Sequence, residues 1–347
     1  MDISTGQHQR DQKTSPPGPP DRDDAVYAAL DLGTNNCRLL VAMPSPDGFR
    51  VIDSFSRITR LGEGLHASGQ LSDAAIDRTV AALRVCSNKV RRHRISRARF
   101  VATEACRGAS NCDRFVNIVQ RETGMQLEII SAKEEAQLAA RGCDPLLVPE
   151  RRYALIFDIG GGSTEVTWLR VGEDGAIGKT IDSFSMPWGV VRMAEEYGNA
   201  ESNPEMFEVM VATIRNLLTG FERRHKISEH LREGRVQMIG TSGTVTTIAG
   251  AFLNLERYQR DRVDGRLMEF DQIRAIVERF ASMSLSELAA HPCIGPERAD
   301  LVLPGCAIME AILREWPVGR LRAADRGLRE GILFNLIAED RREGSAT

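Results

Sequence analysis

Short apolar runs bounded by turn-forming residues recur along both halves of the chain. In the first half, three runs follow one another at short intervals, which predicts three strands in an antiparallel meander. Apolar residues at helical spacing follow, behind a Ser72 that can cap a helix. The predicted elements of this half are strands 25–30, 37–43 and 49–55, a helix 73–92, a strand 99–103, a helix 112–122, a strand 126–130 and a helix 133–141.

The second half repeats this order with longer helices. Another three-strand meander is predicted, followed by a long helix and a strand. The predicted elements are strands 153–157, 166–171 and 177–184, a helix 204–224, a strand 236–240, helices 244–254, 271–282 and 297–315, a strand 320–323 and a helix 328–339.

Direct comparison of the halves indicates an internal duplication. Asp31 and Asp158 end equivalent apolar runs and are each followed two positions later by glycine. The pentapeptide at 52–56 recurs unchanged at 181–185, and the segments 101–103 and 239–241 follow equivalent long helices. Three ordered matches at equivalent points of the pattern favour duplication over chance.

The predicted fold is therefore α/β, with two similar domains and a cleft between them. We expect a disordered tail at 1–24, because this polar, proline-rich segment cannot bury enough apolar surface to order itself. The first domain is predicted at 25–145 and the second at 146–347, with a last helix, about 328–339, that can pack back toward the first. Clefts between domains are favoured ligand sites.

Composition narrows the class of protein. The formal charge is −3, which argues against a dedicated nucleic-acid-binding protein but leaves room for a locally held anion. No apolar run approaches the length of a membrane span, and no secretory pattern begins the chain, so we expect a cytoplasmic protein that does not bind membranes. Seven cysteines without a C-x-x-C pair favour free thiols over disulfides or a zinc site.

The turns that follow the first strand of each half carry the clearest chemical signal. Small residues here allow backbone N–H groups to approach an anion closely. An ordinary hairpin turn, with glycine at positive φ, is the alternative interpretation. The predicted phosphate-binding residues of these turns are Gly33, Thr34, Asn35, Asn36, Gly160, Gly161, Gly162, Ser163 and Thr164.

Other residues near these turns suggest a cation and further anion contacts. Asp158 and Glu165 would repel a phosphate unless a divalent cation, most simply Mg²⁺, lay between them; a solvated strand residue is the alternative for Glu165. Ser242 and Gly243 open a predicted helix, where free N–H groups attract anions, although helix capping alone would also explain them. Arg107 could pair with phosphate through its guanidinium group, or lie on the surface.

Together these residues resemble the Ppx/GppA phosphatase family, exopolyphosphatases and guanosine pentaphosphate phosphohydrolases of the actin-like ATPase superfamily. The segments that carry the resemblance are 29–39, 102–107, 131–136, 158–165, 240–244, 303–305 and 327–331. The resemblance implies two ribonuclease-H-like domains, in a short form without a further C-terminal helical domain. It also implies that Glu135, in the pair Glu134-Glu135, activates or orients the attacking water.

The expected activity is that of an exopolyphosphatase, which hydrolyses the terminal phosphoanhydride of inorganic polyphosphate and releases orthophosphate. Glu135 and Arg107 are the expected catalytic residues, with Mg²⁺ at Asp158 and Glu165. Hydrolysis of pppGpp, an ATP-dependent sugar kinase activity and a non-catalytic sensor of ppGpp or polyphosphate are the alternatives. A different divalent cation, an additional K⁺ and a homodimer are left open.

Overall fold

The computed structural model describes residues 25–46, 48–198 and 203–345, so the predicted tail at 1–24 lies outside the described residues. The first half contains β1 (Val26–Leu32), β2 (Asn36–Ser45), β3 (Gly48–Ile58), α1 (Leu65–Ser68), α2 (Asp73–Arg92), β4 (Ile95–Ala102), α3 (Glu104–Gly108), α4 (Cys112–Thr123), β5 (Glu128–Ile129) and α5 (Ala132–Cys143). The second half contains β6 (Tyr153–Ile159), β7 (Thr164–Val171), β8 (Ile177–Met186), α6 (Val190–Tyr197), α7 (Pro204–His225), α8 (Ile227–Arg232), β9 (Val236–Thr241), α9 (Gly243–Phe252), α10 (Arg260–Val263), β10 (Leu267–Glu269), α11 (Phe270–Ala281), α12 (Leu285–Ala290), α13 (Val302–Glu315), β11 (Arg320–Ala324) and α14 (Leu328–Ser345).

The described strands form two sheets with the same core topology. The first sheet has the order β3-β2-β1-β4-β5, and the second has the order β10-β11-β9-β6-β7-β8. In each, the first three strands of the half are antiparallel neighbours, and the next strand pairs in parallel with the first. The central strands β1 and β6 have identical burial patterns, because helices cover both faces of each sheet. The predicted α/β class, the two meanders and the duplication are confirmed.

The repeated pentapeptide has the same structural role in both halves. Asp53 on β3 lies 2.6 Å from the Lys89 ammonium group and 3.1 Å from the His93 ring, at the end of α2. Asp182 on β8 lies 2.7 Å from the ring of His225, the last residue of α7. In each half, an aspartate on the third strand therefore anchors the end of the long helix.

Two helices cross between the sheets. The apolar face of α14 packs on the first sheet, with Ile332 and Leu333 fully buried against residues of β1 and β2. Ala140 and Cys143 of α5 are buried instead against strands of the second sheet. Gly331 and Gly142 allow α5 and the start of α14 to approach at backbone distance, because a side chain at either position would overlap main-chain atoms of the other helix region. The position of α5 matters for the site, since it carries Glu135.

Several short elements are not evident from the sequence pattern. α1, α3, α6, α8, α10, α12 and β10 have at most eight residues each, too few for a periodic signal. The helix predicted from residue 297 begins at Val302, after a single 3₁₀ turn at Ala299–Leu301. α14 continues past residue 339 because its last turns are rich in charged residues of good helix propensity, which pair in part with Arg97. In the described part of the chain, no helix has the length and apolarity needed to cross a bilayer.

Candidate active site

The two predicted phosphate loops have the same backbone closure. The Gly33 N–H donates to the Asn36 carbonyl at 2.9 Å, and the Gly160 N–H donates to the Ser163 carbonyl at 2.9 Å. These pairs occupy equivalent positions of the duplication, after β1 and β6. Residues of both loops line one cavity, with Gly161 beside Thr34 and Asn35, so the loops face each other as the repeat predicts.

Glycine is required in the second loop because the two loops touch. A Cβ atom on Gly161 would lie 2.9 Å from the Thr34 Cβ atom and 3.0 Å from the Asn35 nitrogen, and a side chain on Gly162 would overlap the Glu104 carboxylate. Neither Gly161 nor Gly162 has a positive φ. The left-handed conformation that an ordinary hairpin turn would require of these glycines is therefore wrong for this loop, while anion binding by the loop stays a prediction.

The second phosphate loop, residues 160–163, is called the glycine loop below. The start of α6 fixes its orientation. The Val190 and Val191 N–H groups donate to the carbonyls of Gly160 and Gly161 at 3.0 and 2.8 Å. The N–H groups of Gly161 and Gly162 have no acceptor in the described part of the chain. The loop carbonyl groups are therefore bound to the start of α6, while the loop N–H groups remain free to donate. This arrangement is suited to binding anions.

A cavity of about 130 Å³ lies between the domains, and most of the predicted phosphate-binding residues line it. Those that do are Gly33, Thr34, Asn35, Asn36, Gly160, Gly161, Gly162, Ser163, Ser242 and Gly243. Thr164 does not. Its side chain is fully buried and its hydroxyl donates to the Trp188 carbonyl at 2.7 Å, so it supports the loop from the opposite side of the strand.

The structure separates the two glutamates that the sequence left equivalent. Both lie in the first turn of α5, which Ser131 caps. The Glu134 carboxylate points away from the cavity and forms an ion pair with Arg99. The Glu135 side chain lines the cavity and accepts a hydrogen bond from the Arg107 guanidinium at 2.7 Å. Adjacent helix residues do not share a face, so only one of the pair can reach the cleft.

Arg107 lies behind Glu135 and does not line the cavity. Its Nη1 atom also donates to the Ile130 carbonyl at 3.0 Å. In this geometry the guanidinium fixes the Glu135 carboxylate, and the expected direct contact between Arg107 and a transferring phosphoryl group stays a prediction. α3, which carries Arg107, is too short to be seen in the sequence pattern.

Four carboxyl groups are close enough to perturb one another. Burial, and then Glu165, raises the pKa of Glu135, while Arg107 opposes the shift. Burial raises the pKa of Asp158 to about 7, with further contributions from Glu135 and Asp31. Burial and Asp158 raise the pKa of Glu165, and burial raises that of Asp31. Such mutual repulsion is typical of a site that a cation or protons complete.

The donor set of this cluster fits Mg²⁺. Asp158 lines the cavity, and Glu165 is its direct neighbour across the β6–β7 pair. Glu165 is 3% exposed and accepts from the Ser185 hydroxyl at 2.8 Å, so Asp158 is the carboxylate of the pair that reaches the cavity. No three acidic, histidine or cysteine side chains of the described residues are arranged to hold a metal by themselves. Mg²⁺ commonly takes one or two carboxylates, with substrate phosphates and water as its other ligands.

Ser242 combines capping with a position at the cavity. Its side chain accepts from the Val245 N–H at 3.1 Å and caps α9. Its φ of 152° lies in a region that residues other than glycine rarely adopt. The capping interpretation of the 240–244 turn is therefore confirmed. Anion binding stays a prediction, which fits the position of Ser242 at the cavity wall with Gly243 and Thr244.

Sequence reasoning missed two arginines at the site. Arg38 and Arg298 line the first cavity and also a second, adjoining cavity of about 570 Å³. Neither has an ion-pair partner among the described residues. Arg38 stands opposite Asp31 in the β1–β2 register, as Glu165 stands opposite Asp158. The duplication could have identified Arg38, since it occupies the repeat position of Glu165 with the opposite charge.

The fold and site define a two-domain α/β protein with a cavity between the domains, lined by two glycine-containing loops and by the carboxylates of Glu135 and Asp158. The family model described as the Ppx/GppA phosphatase family matches residues 40–340, and the chain belongs to this family. The chain is 28% identical over 326 residues to exopolyphosphatase 2 of Mycobacterium tuberculosis, covering 89% of this chain and 98% of that protein. It is 29% identical to a guanosine-5'-triphosphate,3'-diphosphate pyrophosphatase of Aeromonas hydrophila, covering 91% of this chain and 60% of that protein.

Solved structures agree with the fold. The Aquifex aeolicus member of the Ppx/GppA family superposes with a TM-score of 0.75 at 25% identity, covering 91% of this chain and 98% of that one. An exopolyphosphatase from Cytophaga hutchinsonii has a TM-score of 0.81 at 22% identity, covering 90% of this chain and 98% of that one, a likeness of fold alone. The actin-like architecture expected from the sequence is confirmed.

Proposed function

We propose that this chain is an exopolyphosphatase that hydrolyses the terminal phosphoanhydride of inorganic polyphosphate. The observation that carries the proposal is Glu135, a carboxylate fixed by Arg107 at the wall of a cavity that two phosphate loops also line. Similarity to a protein named exopolyphosphatase 2 over 98% of its length supports the same activity.

In the proposed mechanism, the free N–H groups of the glycine loop and the guanidinium groups of Arg38 and Arg298 bind the terminal phosphates. Glu135 orients a water molecule and accepts its proton as the water oxygen bonds to the terminal phosphorus. The bond from that phosphorus to the bridging oxygen breaks, which releases orthophosphate and leaves a chain one unit shorter. Positioning and charge neutralisation would supply most of the acceleration.

Asp158 would hold Mg²⁺ together with phosphate oxygens of the substrate. Glu165, buried next to Asp158 on the neighbouring strand, would add negative charge that favours the cation. When bound, the ion would offset the charge that the substrate brings to this acidic cleft. Another divalent cation, or K⁺ in addition, fits the same chemistry. We also propose that the enzyme is cytoplasmic and forms a homodimer.

The second cavity favours polyphosphate over a nucleotide. Five arginines line it, and a linear chain leaving the first cavity would pass among them: Arg38, Arg260, Arg298, Arg326 and Arg329. Arg260, Arg326 and Arg329 are already paired with acidic residues, whereas Arg38 and Arg298 are not. The two unpaired guanidinium groups lie where the cavities join, the place of the phosphates next to the scissile bond.

Hydrolysis of pppGpp is the second candidate. The first cavity has an apolar end, formed by Ile248, Phe280, Leu301 and Val302, against which a purine ring could pack. A relative of that activity matches 91% of this chain.

Comparison of kcat/KM for polyphosphate and pppGpp, at equal Mg²⁺, tests the choice. The proposal predicts the higher value for polyphosphate. A higher value for pppGpp would assign the chain to the second candidate, and failure to release phosphate from either would refute hydrolysis.

A further inference from the structure

The loop between β3 and α1, residues 59–64, supports the first phosphate loop from behind. The N–H groups of Thr59 and Arg60 donate to the Asn35 carbonyl at 2.9 and 3.0 Å. The Gly62 N–H donates to the Thr34 carbonyl at 2.9 Å. The position of Thr34 and Asn35 thus depends on this supporting loop.

The side chain of Arg60 crosses to the second domain. Its Nη2 atom donates to the Asp300 carboxylate at 3.0 Å and to the Glu297 carbonyl at 3.1 Å. The two acceptors flank Arg298, one of the two unpaired arginines of the cavity. Arg60 therefore contacts the first phosphate loop through its backbone and the segment 297–300, which carries Arg298, through its side chain.

The conformation of the supporting loop is tightly specified. Arg60 has a φ of 47°, in the left-handed region that costs energy for most side chains. Arg78 holds the loop through the Thr59 carbonyl at 3.0 Å and the Glu63 carboxylate at 2.7 Å. A second contact between the domains forms nearby, where the Gly64 N–H donates to the Glu195 carboxylate at 2.8 Å. Strain of this kind persists where surrounding contacts hold it, and it is often found at functional sites.

We propose that Arg60 is a positioning residue that couples the first phosphate loop to the segment 297–300. The Arg60–Asp300 pair holds Arg298 at the wall of the cavity and fixes Thr34 and Asn35 opposite the glycine loop. When the pair is broken, the two phosphate-binding halves separate. This inference rests on the proposed function, since it assigns phosphate binding to the cleft.

The test compares Arg60→Ala, Asp300→Ala and the exchange that combines Arg60→Asp with Asp300→Arg. Aspartate tolerates the left-handed backbone of position 60 better than most residues. Phosphate release from polyphosphate gives kcat and KM, and size-exclusion-coupled small-angle X-ray scattering gives the radius of gyration. Arg114→Ala is the matched control, because the Arg114–Asp73 pair at 2.8 Å lies within the first domain.

We expect each single variant to raise KM about fivefold or more, the lower end of typical coupling between sites, with a smaller change in kcat. Both should show a larger radius of gyration, and the exchange should recover part of the loss in both measurements. Arg114→Ala should match the wild type.

The proposal would be overturned if both single variants had the wild-type KM and radius of gyration. It would also be overturned if the exchange variant recovered neither quantity relative to the single variants. If Arg60→Ala does not fold, Asp300→Ala and Arg60→Lys are compared with the wild type instead, in the same two measurements. If the wild type releases no phosphate, the proposed function fails, while the scattering data still decide whether the pair holds the domains together.

Discussion

Arg107 holds Glu135 from behind, with 2.7 Å between the guanidinium Nη1 atom and the carboxylate Oε2 atom. The pair joins α3 to the first turn of α5, and its carboxylate lines the interdomain cavity. A general base that activates water must lie within reach of the substrate site and must be held in a fixed orientation. The contact with Arg107 provides the fixed orientation of Glu135.

Replacing Glu135 tests its role as the base. We expect Glu135→Gln to lower kcat by ~10²–10⁴, the range for loss of a positioned base. Glu134→Gln is the control, since that carboxylate is directed to Arg99 outside the cavity. Steady-state phosphate release measures both variants, and equal losses would contradict the assignment.

Replacing Arg107 should move the pH dependence of the reaction. Its charge lowers the pKa of Glu135 against the larger effect of burial. Without it, Glu135 ionises at higher pH, so the acid limb of the kcat/KM profile should shift upward in Arg107→Gln. Arg107→Lys keeps the charge and should shift less. Profiles that overlay the wild type for both variants would show that Arg107 does not act through Glu135.

The glycine loop should tolerate no side chain at the domain contact. Gly161→Val should abolish most activity, because its Cβ would press on Thr34 and Asn35, while far-ultraviolet circular dichroism stays unchanged. Gly220→Ala is the comparison: this helical glycine has open space around it and should keep full activity. A folded, fully active Gly161→Val would reduce the loop to a simple turn.

The acidic cluster should make stability depend on pH and Mg²⁺. The pKa of Asp158 is raised from 3.8 to about 7, so its stabilising contribution is present below pH 4 and is lost as the pH rises toward 7. With a chelator, Asp158→Asn should therefore gain Tm relative to the wild type as the pH increases over this window. Adding Mg²⁺ should raise the wild-type Tm more at pH 8 than at pH 5. A difference in Tm that does not change with pH would contradict this account.

The sequence was informative where the signal is local. Apolar runs predicted the two meanders, and the offset between Asp31 and Asp158 predicted facing loops. Contacts between distant segments could not be predicted, because no periodicity records them: Arg107 behind Glu135, Thr34 against Gly161, and Arg60 paired with Asp300. Arg38 is an intermediate case, since the duplication aligns it with Glu165 and only the reversal of charge concealed its place in the site.

The most direct measurement follows a polyphosphate of defined length by ³¹P nuclear magnetic resonance during digestion by the wild type with Mg²⁺. Hydrolysis at the chain end predicts that orthophosphate accumulates as internal phosphates decrease, while the number of chain ends stays constant until the chains become short. A rise in chain ends without matching orthophosphate, or no change in any signal, would contradict the account.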